Sequence, residues 1–253
     1  MERIAAGLAV DRLDVGQVSV ARERGHQLLA DARRRQLPGV VARAAIFQAR
    51  VLAAAGELPQ AGRLLDEADA LWPDDVRALP QVSLALARAQ LAIEDGRPTE
   101  AITMLHALEA EDSLAIFMER RESQRTLLLL TARAHAVEAL RGWRAGRGGP
   151  RKTTLDALQT ALARLRKAIP TPEAQIAVLS GVYELALGQP KRALGQFGRA
   201  IDVATTPLDR AAGLYLYGVS HAAAGLGDGV GEIERASAAL RDAGAAPPAE
   251  VRA

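Results

Sequence analysis

Residues 56–75 read GELPQAGRLLDEADALWPDD, and this stretch combines a turn signal with a helix signal. Gly56 can take the left-handed conformation that closes a helix, and Pro59 suits the first turn of the next helix. Apolar residues then recur at helical spacing, at Ala61, Leu64, Leu65, Ala68 and Leu71. The stretch therefore predicts the turn and the second helix of a helix hairpin.

The same turn signal recurs along the chain. The pattern G-x-x-x-x-A occurs at 16–21, 56–61, 96–101 and 188–193, and the first three copies are spaced by 40 residues. A small residue stands seven positions before each of the last three glycines, at Ala49, Ala89 and Gly181. Small residues let two helices approach closely. One hairpin cannot bury its own apolar faces, so the sequence predicts stacked hairpins that share a core.

The composition agrees with a helical chain. Of the 253 residues, 49% are hydrophobic and 25% charged, but only 3% are aromatic. Alanine, leucine and arginine dominate, whereas strands collect aromatic and β-branched residues. The chain has no cysteine, which excludes disulfides, thiolate metal sites and a cysteine nucleophile. An all-α fold is predicted.

These features resemble the tetratricopeptide repeat. The turn glycine, small packing residues, large apolar residue and closing proline of that family match Gly56, Ala61, Ala68, Leu65 and Pro73. Residues 96–112 and 188–202 match nearly as well, and 213–240 is similar to a divergent final copy. The period is longer than the usual 34 or so residues. In this it resembles the repeats in the C-terminal regions of large bacterial protein kinases and of maltose-regulator-type transcription factors.

The resemblance implies a right-handed α-solenoid of about six stacked helix-turn-helix repeats. We expect one solenoid domain over 1–244 with a basic loop insertion at 142–152, followed by a flexible C-terminal tail at 245–253. The expected helix pairs are 1–36, 39–73, 78–112, 114–169, 172–205 and 208–244.

Residues 146–154 read GRGGPRKTT and are close to a phosphate-binding loop. Arg151 stands where the pattern G-x-x-x-x-G-K-[ST] needs its second glycine before Lys152. Such a loop also follows a strand, whereas residues 130–140 align with the helical stretch 85–95. We therefore interpret the stretch as a flexible insertion in a hairpin turn and not as a nucleotide site.

The insertion is strongly basic. Five positive charges fall within twelve residues that contain no acid, at Arg141, Arg144, Arg147, Arg151 and Lys152. They either keep a solvated loop soluble or steer an acidic or phosphorylated segment of a partner. The formal net charge of the whole chain is only +2, and nucleic acid is not expected.

Recognition of a protein is the function that the resemblance implies. In the tetratricopeptide family, the first helix of each pair lines a concave groove that binds a peptide or a helix. Helical phase predicts its lining at Arg43, Ile46, Phe47, Arg50, Leu86, Ala87, Gln90, Glu94, Leu128, Thr131, His135, Val178, Leu179 and Val182. Among these, the predicted partner-binding residues are Arg43, Phe47, Arg50, Gln90 and His135. Phe47, Tyr215 and Tyr217 are predicted either to anchor a partner or to belong to the core.

A chaperone C-terminus is not the expected ligand. The family members that grip such a carboxylate use lysine, asparagine and arginine on successive first helices. At the matching places of this chain, only Arg50 carries a suitable charge.

No catalytic or cofactor pattern is found. The histidines His26, His106, His135 and His221 lie in different helix pairs, and none has a second histidine three or four residues away to form a metal pair. We therefore expect a non-enzymatic scaffold or adaptor without cofactor. The alternatives are a regulatory or sensor region that works with a bacterial kinase or transcription regulator, and an enzyme whose site is assembled across repeats. The apolar run near Met1 is too short for a secretory signal, and no membrane span is predicted, so we expect a cytoplasmic protein.

Overall fold

The computed structural model describes residues 18–72, 78–111, 121–146, 149–168, 173–247 and 249. These residues form eleven helices and contain no strand, which confirms the predicted all-α class. The helices are α1 (Val18–Arg34), α2 (Pro38–Ala54), α3 (Leu58–Ala70), α4 (Ala78–Glu94), α5 (Pro98–Ala110), α6 (Arg121–Arg144), α7 (Lys152–Ala168), α8 (Glu173–Ala186), α9 (Pro190–Val203), α10 (Pro207–Ala223) and α11 (Val230–Asp242).

The helices follow the predicted pairs closely. The expected pairs 39–73, 78–112, 172–205 and 208–244 correspond to α2 with α3, α4 with α5, α8 with α9, and α10 with α11. The pair expected over 114–169 corresponds to α6 and α7. Of the first pair, only α1 falls within the described residues. Of the predicted turn signal at 16–21, Gly16 and Gln17 lie outside them, and residues 18–21 belong to α1.

The turn glycines explain where the first helix of a pair ends and the second begins. Gly56, Gly96 and Gly188 have positive φ angles of 83°, 69° and 73°, which favour glycine because it has no Cβ. In each turn, the N–H of the next residue donates to the carbonyl oxygen five residues back, at 2.8, 2.7 and 2.9 Å. Pro59, Pro98 and Pro190 then occupy the first turns of α3, α5 and α9. Both parts of the sequence signal are confirmed.

Contacts divide the chain into two compact units. The first contains residues 1–126 with 243–246, and the second contains 127–242 with 247–253. The predicted boundaries, a solenoid domain over 1–244 and a flexible tail over 245–253, stay a prediction.

In the first unit, the helices pack in chain order from α1 to α5, and α2 also packs against α4. The core consists largely of alanine and leucine, because close helices leave little room between them. Ala49, Ala61, Ala89 and Ala101, whose small size the repeat predicts, are all buried.

In the second unit, the helices from α7 to α11 also pack in chain order, and α8 contacts α10. One apolar cluster joins residues of α6, α7, α8, α9 and α10. Phe197 is its largest fully buried side chain. The ring lies directly over Gly181, since a Cβ added there would come within 2.5 Å of Phe197 Cε1.

The segment 243–246 completes the first unit. The Ser19 N–H at the start of α1 donates to Ala243 O over 3.3 Å, and the Ala246 N–H donates to Ala54 O at the end of α2 over 2.9 Å. Helix ends leave such backbone groups without intrahelical partners. The segment therefore caps two helix ends of the first unit.

Candidate functional site

The predicted partner-binding residues of α2 and α4 meet across two successive first helices. Arg50 Nε donates to Gln90 Oε1 over 3.2 Å, and both side chains are half-buried. The two residues are 40 positions apart, which is the spacing of the turn signals. Equivalent positions of neighbouring repeats are thus in direct contact.

Arg43 and Phe47 continue this line along α2. Arg43 is exposed, and Phe47 is half-buried with its Cε1 atom 3.0 Å from the place of a Cβ at Gly25 of α1. Arg43, Phe47 and Arg50 stand at helical spacing, so they share one face of α2. We call Arg43, Phe47, Arg50 and Gln90 the α2–α4 row.

The fifth predicted partner-binding residue, His135, lies on α6 in the second unit and is only 8% exposed. Its role in binding stays a prediction. Tyr215 and Tyr217 of α10 are partly buried and pack against the core of the second unit. The ring of Tyr217 stacks on His221 with a centroid distance of 6.2 Å.

Much of the predicted groove lining belongs to the core instead. The following residues are at most 9% exposed: Ile46, Leu86, Ala87, Glu94, Leu128, Thr131, Val178, Leu179 and Val182. The reason is that a first helix has several neighbours. α2, for example, contacts α1, α3 and α4, so most of its circumference is covered. The prediction that these residues line an open groove is wrong.

The basic insertion is a short turn between two helices. α6 continues to Arg144 and α7 begins at Lys152, so both ends of the predicted insertion 142–152 are helical. Pro150 closes the turn against Gly142, where an added Cβ would lie 2.7 Å from Pro150 Cα. Trp143 packs against the core of the second unit. The prediction that residues 146–154 follow a helix is confirmed.

The cations of this turn are exposed. Arg141, Arg144, Arg151 and Lys152 all face solvent, while Arg147 lies outside the described residues. Arg141, Arg151 and Lys152 form no ion pair with any residue that the structure describes. The turn thus carries positive charge that is not neutralised locally.

A groove that the sequence reasoning missed lies among α3, α4 and α5. Its volume is about 450 Å³. α4 contributes residues at positions i, i+3, i+4 and i+7, and α5 contributes residues at i, i+3 and i+4, followed by Glu111 just after its end. α3 and the residues after it close one side. The lining is Asp69, Trp72, Gln81, Leu84, Ala85, Arg88, Met104, Ala107, Leu108 and Glu111. We call it the α3–α5 groove.

An acidic cluster with one cation borders this groove. Arg88 Nη2 lies 3.2 Å from Asp66 Oδ1 and 3.1 Å from Asp69 Oδ2. The floor is apolar, since Leu84 and Leu108 are buried and Met104 is half-buried. The spacing of the lining residues on α4 and α5 was visible in the sequence, but the contribution of α3 requires the packing of three helices.

No group of three or more histidine or carboxylate side chains within the described ranges is arranged to hold a metal ion. Among the helices that the structure describes, none is both long and apolar enough to cross a bilayer. Comparisons of the chain with protein-family models and with curated proteins find no match.

Proposed function

We propose that the chain is a tetratricopeptide-like α-solenoid that serves as a non-enzymatic scaffold or adaptor. Its partner is a protein whose peptide or helix lies across the α2–α4 row. The observation that carries the proposal is the contact between Arg50 and Gln90 over 3.2 Å. Because it joins equivalent positions of two successive first helices, a ligand lying across the repeats would meet a continuous surface.

The residue types of the row suit recognition. Phe47 offers a partly buried aromatic ring, and Arg43 offers an exposed cation four residues away on the same face. Aromatic and arginine side chains carry much of the binding energy of protein interfaces. Their combination favours a segment with an apolar side chain beside an acidic one.

The test begins with short peptides selected from a random display library on the purified protein. Binding of each peptide is then measured by calorimetry for the wild type and for the double variant Phe47→Ala, Arg50→Glu. We expect the double variant to lose more than about 1 kcal/mol of binding free energy. Arg63→Glu, an exposed charge reversal on α3, is the matched control and should bind normally.

The basic turn is expected to affect the rate of encounter. Replacing Arg141, Arg151 and Lys152 with glutamine should lower the association rate and its salt dependence, and leave dissociation unchanged. These substitutions are preferable to deleting residues 143–150, since Trp143 packs against the core of the second unit. If the double variant binds normally while the glutamine variant does not bind at physiological salt, recognition lies in the basic turn and the proposal is lost.

A further inference from the structure

We propose that the α3–α5 groove is a second binding site, and that it takes a basic, apolar peptide segment of a protein partner. An apolar side chain of the segment occupies the floor, and a lysine or arginine beside it faces the carboxylates. This site goes beyond the function proposed above, because none of its lining residues belongs to the α2–α4 row.

The floor provides the apolar half of the site. Leu84 and Leu108 form its base, with Met104 and the Trp72 indole beside them. A volume of about 450 Å³ is within the range of ligand sites. Methionine and tryptophan are suited to such a surface, because the one adapts its shape and the other presents a large rigid face.

The charges select a cation. Arg88 is the one cation in the described lining, and it is shared between Asp66 and Asp69. Glu111, the residue after α5, also lines the groove. Among the described residues, two carboxylates thus face one cation at this side of the groove, an excess of negative charge that attracts a basic group and repels phosphate.

The shape favours an elongated ligand. The lining residues of α4 extend over seven positions, or about 10 Å along the helix axis, and those of α5 run alongside them. The buried indole N–H of Trp72 also has no hydrogen-bond acceptor among the described residues.

Trp72 itself can report on occupancy. The chain has two tryptophans, so Trp143→Phe leaves Trp72 as the single emitter in the full-length protein. The probes are two synthetic peptides with the same leucine and alanine positions, one with lysine and the other with glutamate at the remaining positions. We expect a saturable change of Trp72 emission with the lysine peptide and no change with the glutamate peptide.

A matched pair of variants locates the binding. Ala107 is an exposed alanine of α5 that lines the groove, and Ala107→Arg should weaken the lysine peptide at least tenfold by filling the groove with a like charge. Ala222→Arg makes the same change at an exposed alanine of α10 and should leave affinity unchanged. Phe47→Ala with Arg50→Glu should also bind the lysine peptide normally, which separates this site from the α2–α4 row.

The proposal would be overturned by the absence of a saturable change with the lysine peptide, by equal binding of that peptide to the Ala107→Arg variant, or by loss of binding in the Phe47 and Arg50 variant alone. Saturation by butylammonium at the same concentration as the lysine peptide would also overturn it. In that case the groove would be a site for small organic amines.

Discussion

Gly181 and Phe197 show how little space separates α8 from α9. A methyl group at Gly181 would lie 2.5–2.7 Å from three atoms of the Phe197 ring, and that ring is 0% exposed. Neither backbone nor ring can move without disturbing the core. We expect Gly181→Ala to lower the free energy of unfolding by about 1–3 kcal/mol, measured by urea denaturation.

Gly195 provides the control for that prediction. It lies within α9, is exposed, and has no atom within 4 Å of the place where a Cβ would be added. Gly195→Ala should therefore stabilise the protein by about 0.5–1 kcal/mol, because alanine favours the helix. If Gly181→Ala were also stabilising, the packing of Phe197 described above would be incorrect.

The sequence predicted single residues well where one residue decides the conformation. Gly56 and Pro59 predicted the turn between α2 and α3 correctly. A residue with positive φ ends one helix and a proline begins the next, and both effects depend only on the residue itself. Arg50 and Gln90 were both predicted on one surface from helical phase, and their side chains are in contact over 3.2 Å. Ile46 was misplaced, since the phase of a helix does not reveal how many neighbours cover it.

At the level of elements, the second helices α3 and α5 approach their partners through equivalent alanines. Ala61 and Ala101 are both 0% exposed. Enlarging either residue to leucine should lower the free energy of unfolding by about 1–3 kcal/mol through overpacking, as measured by thermal or urea unfolding.

Ala110→Leu serves as the comparison, because Ala110 is the exposed last residue of α5. Its effect should stay within about 0.5 kcal/mol. Neutral results at both Ala61 and Ala101 would mean that these residues do not stand at close helix contacts in solution.

The α3–α5 groove could not be predicted from the sequence of any single helix, because three helices line it. The spacing of Leu84 with Arg88, and of Met104 with Leu108, indicates a helix face but not what that face meets. Asp69 and Trp72 reach the groove from the end of another helix. Long-range packing of this kind is not encoded in any local pattern.

At the scale of the whole molecule, the segment 243–246 is the feature with the clearest consequence for stability. The Ser19 N–H lies in the first described turn of α1, and its described acceptor is Ala243 O. Removing residues 243–253 should cost about 1–3 kcal/mol for the two lost backbone hydrogen bonds. Amide hydrogen exchange at Ser19 should become roughly tenfold faster.

Removing only residues 247–253 keeps both hydrogen bonds and is the matched control. Exchange at Ser19 should then remain as slow as in the full chain. Equal exchange rates in both truncated proteins and the full chain would show that the segment does not cap α1.

The position of this segment in the sequence also bears on how the protein is made. A ribosome synthesises α1 and α2 first, and residues 243–246 follow only after all the other helices described here. During elongation, the Ser19 N–H and the Ala54 carbonyl oxygen therefore lack these two hydrogen-bond partners, and water hydrates them instead. The helices of the first unit can form their apolar core early in synthesis. The unit becomes complete only when residues 243–246 have left the exit tunnel.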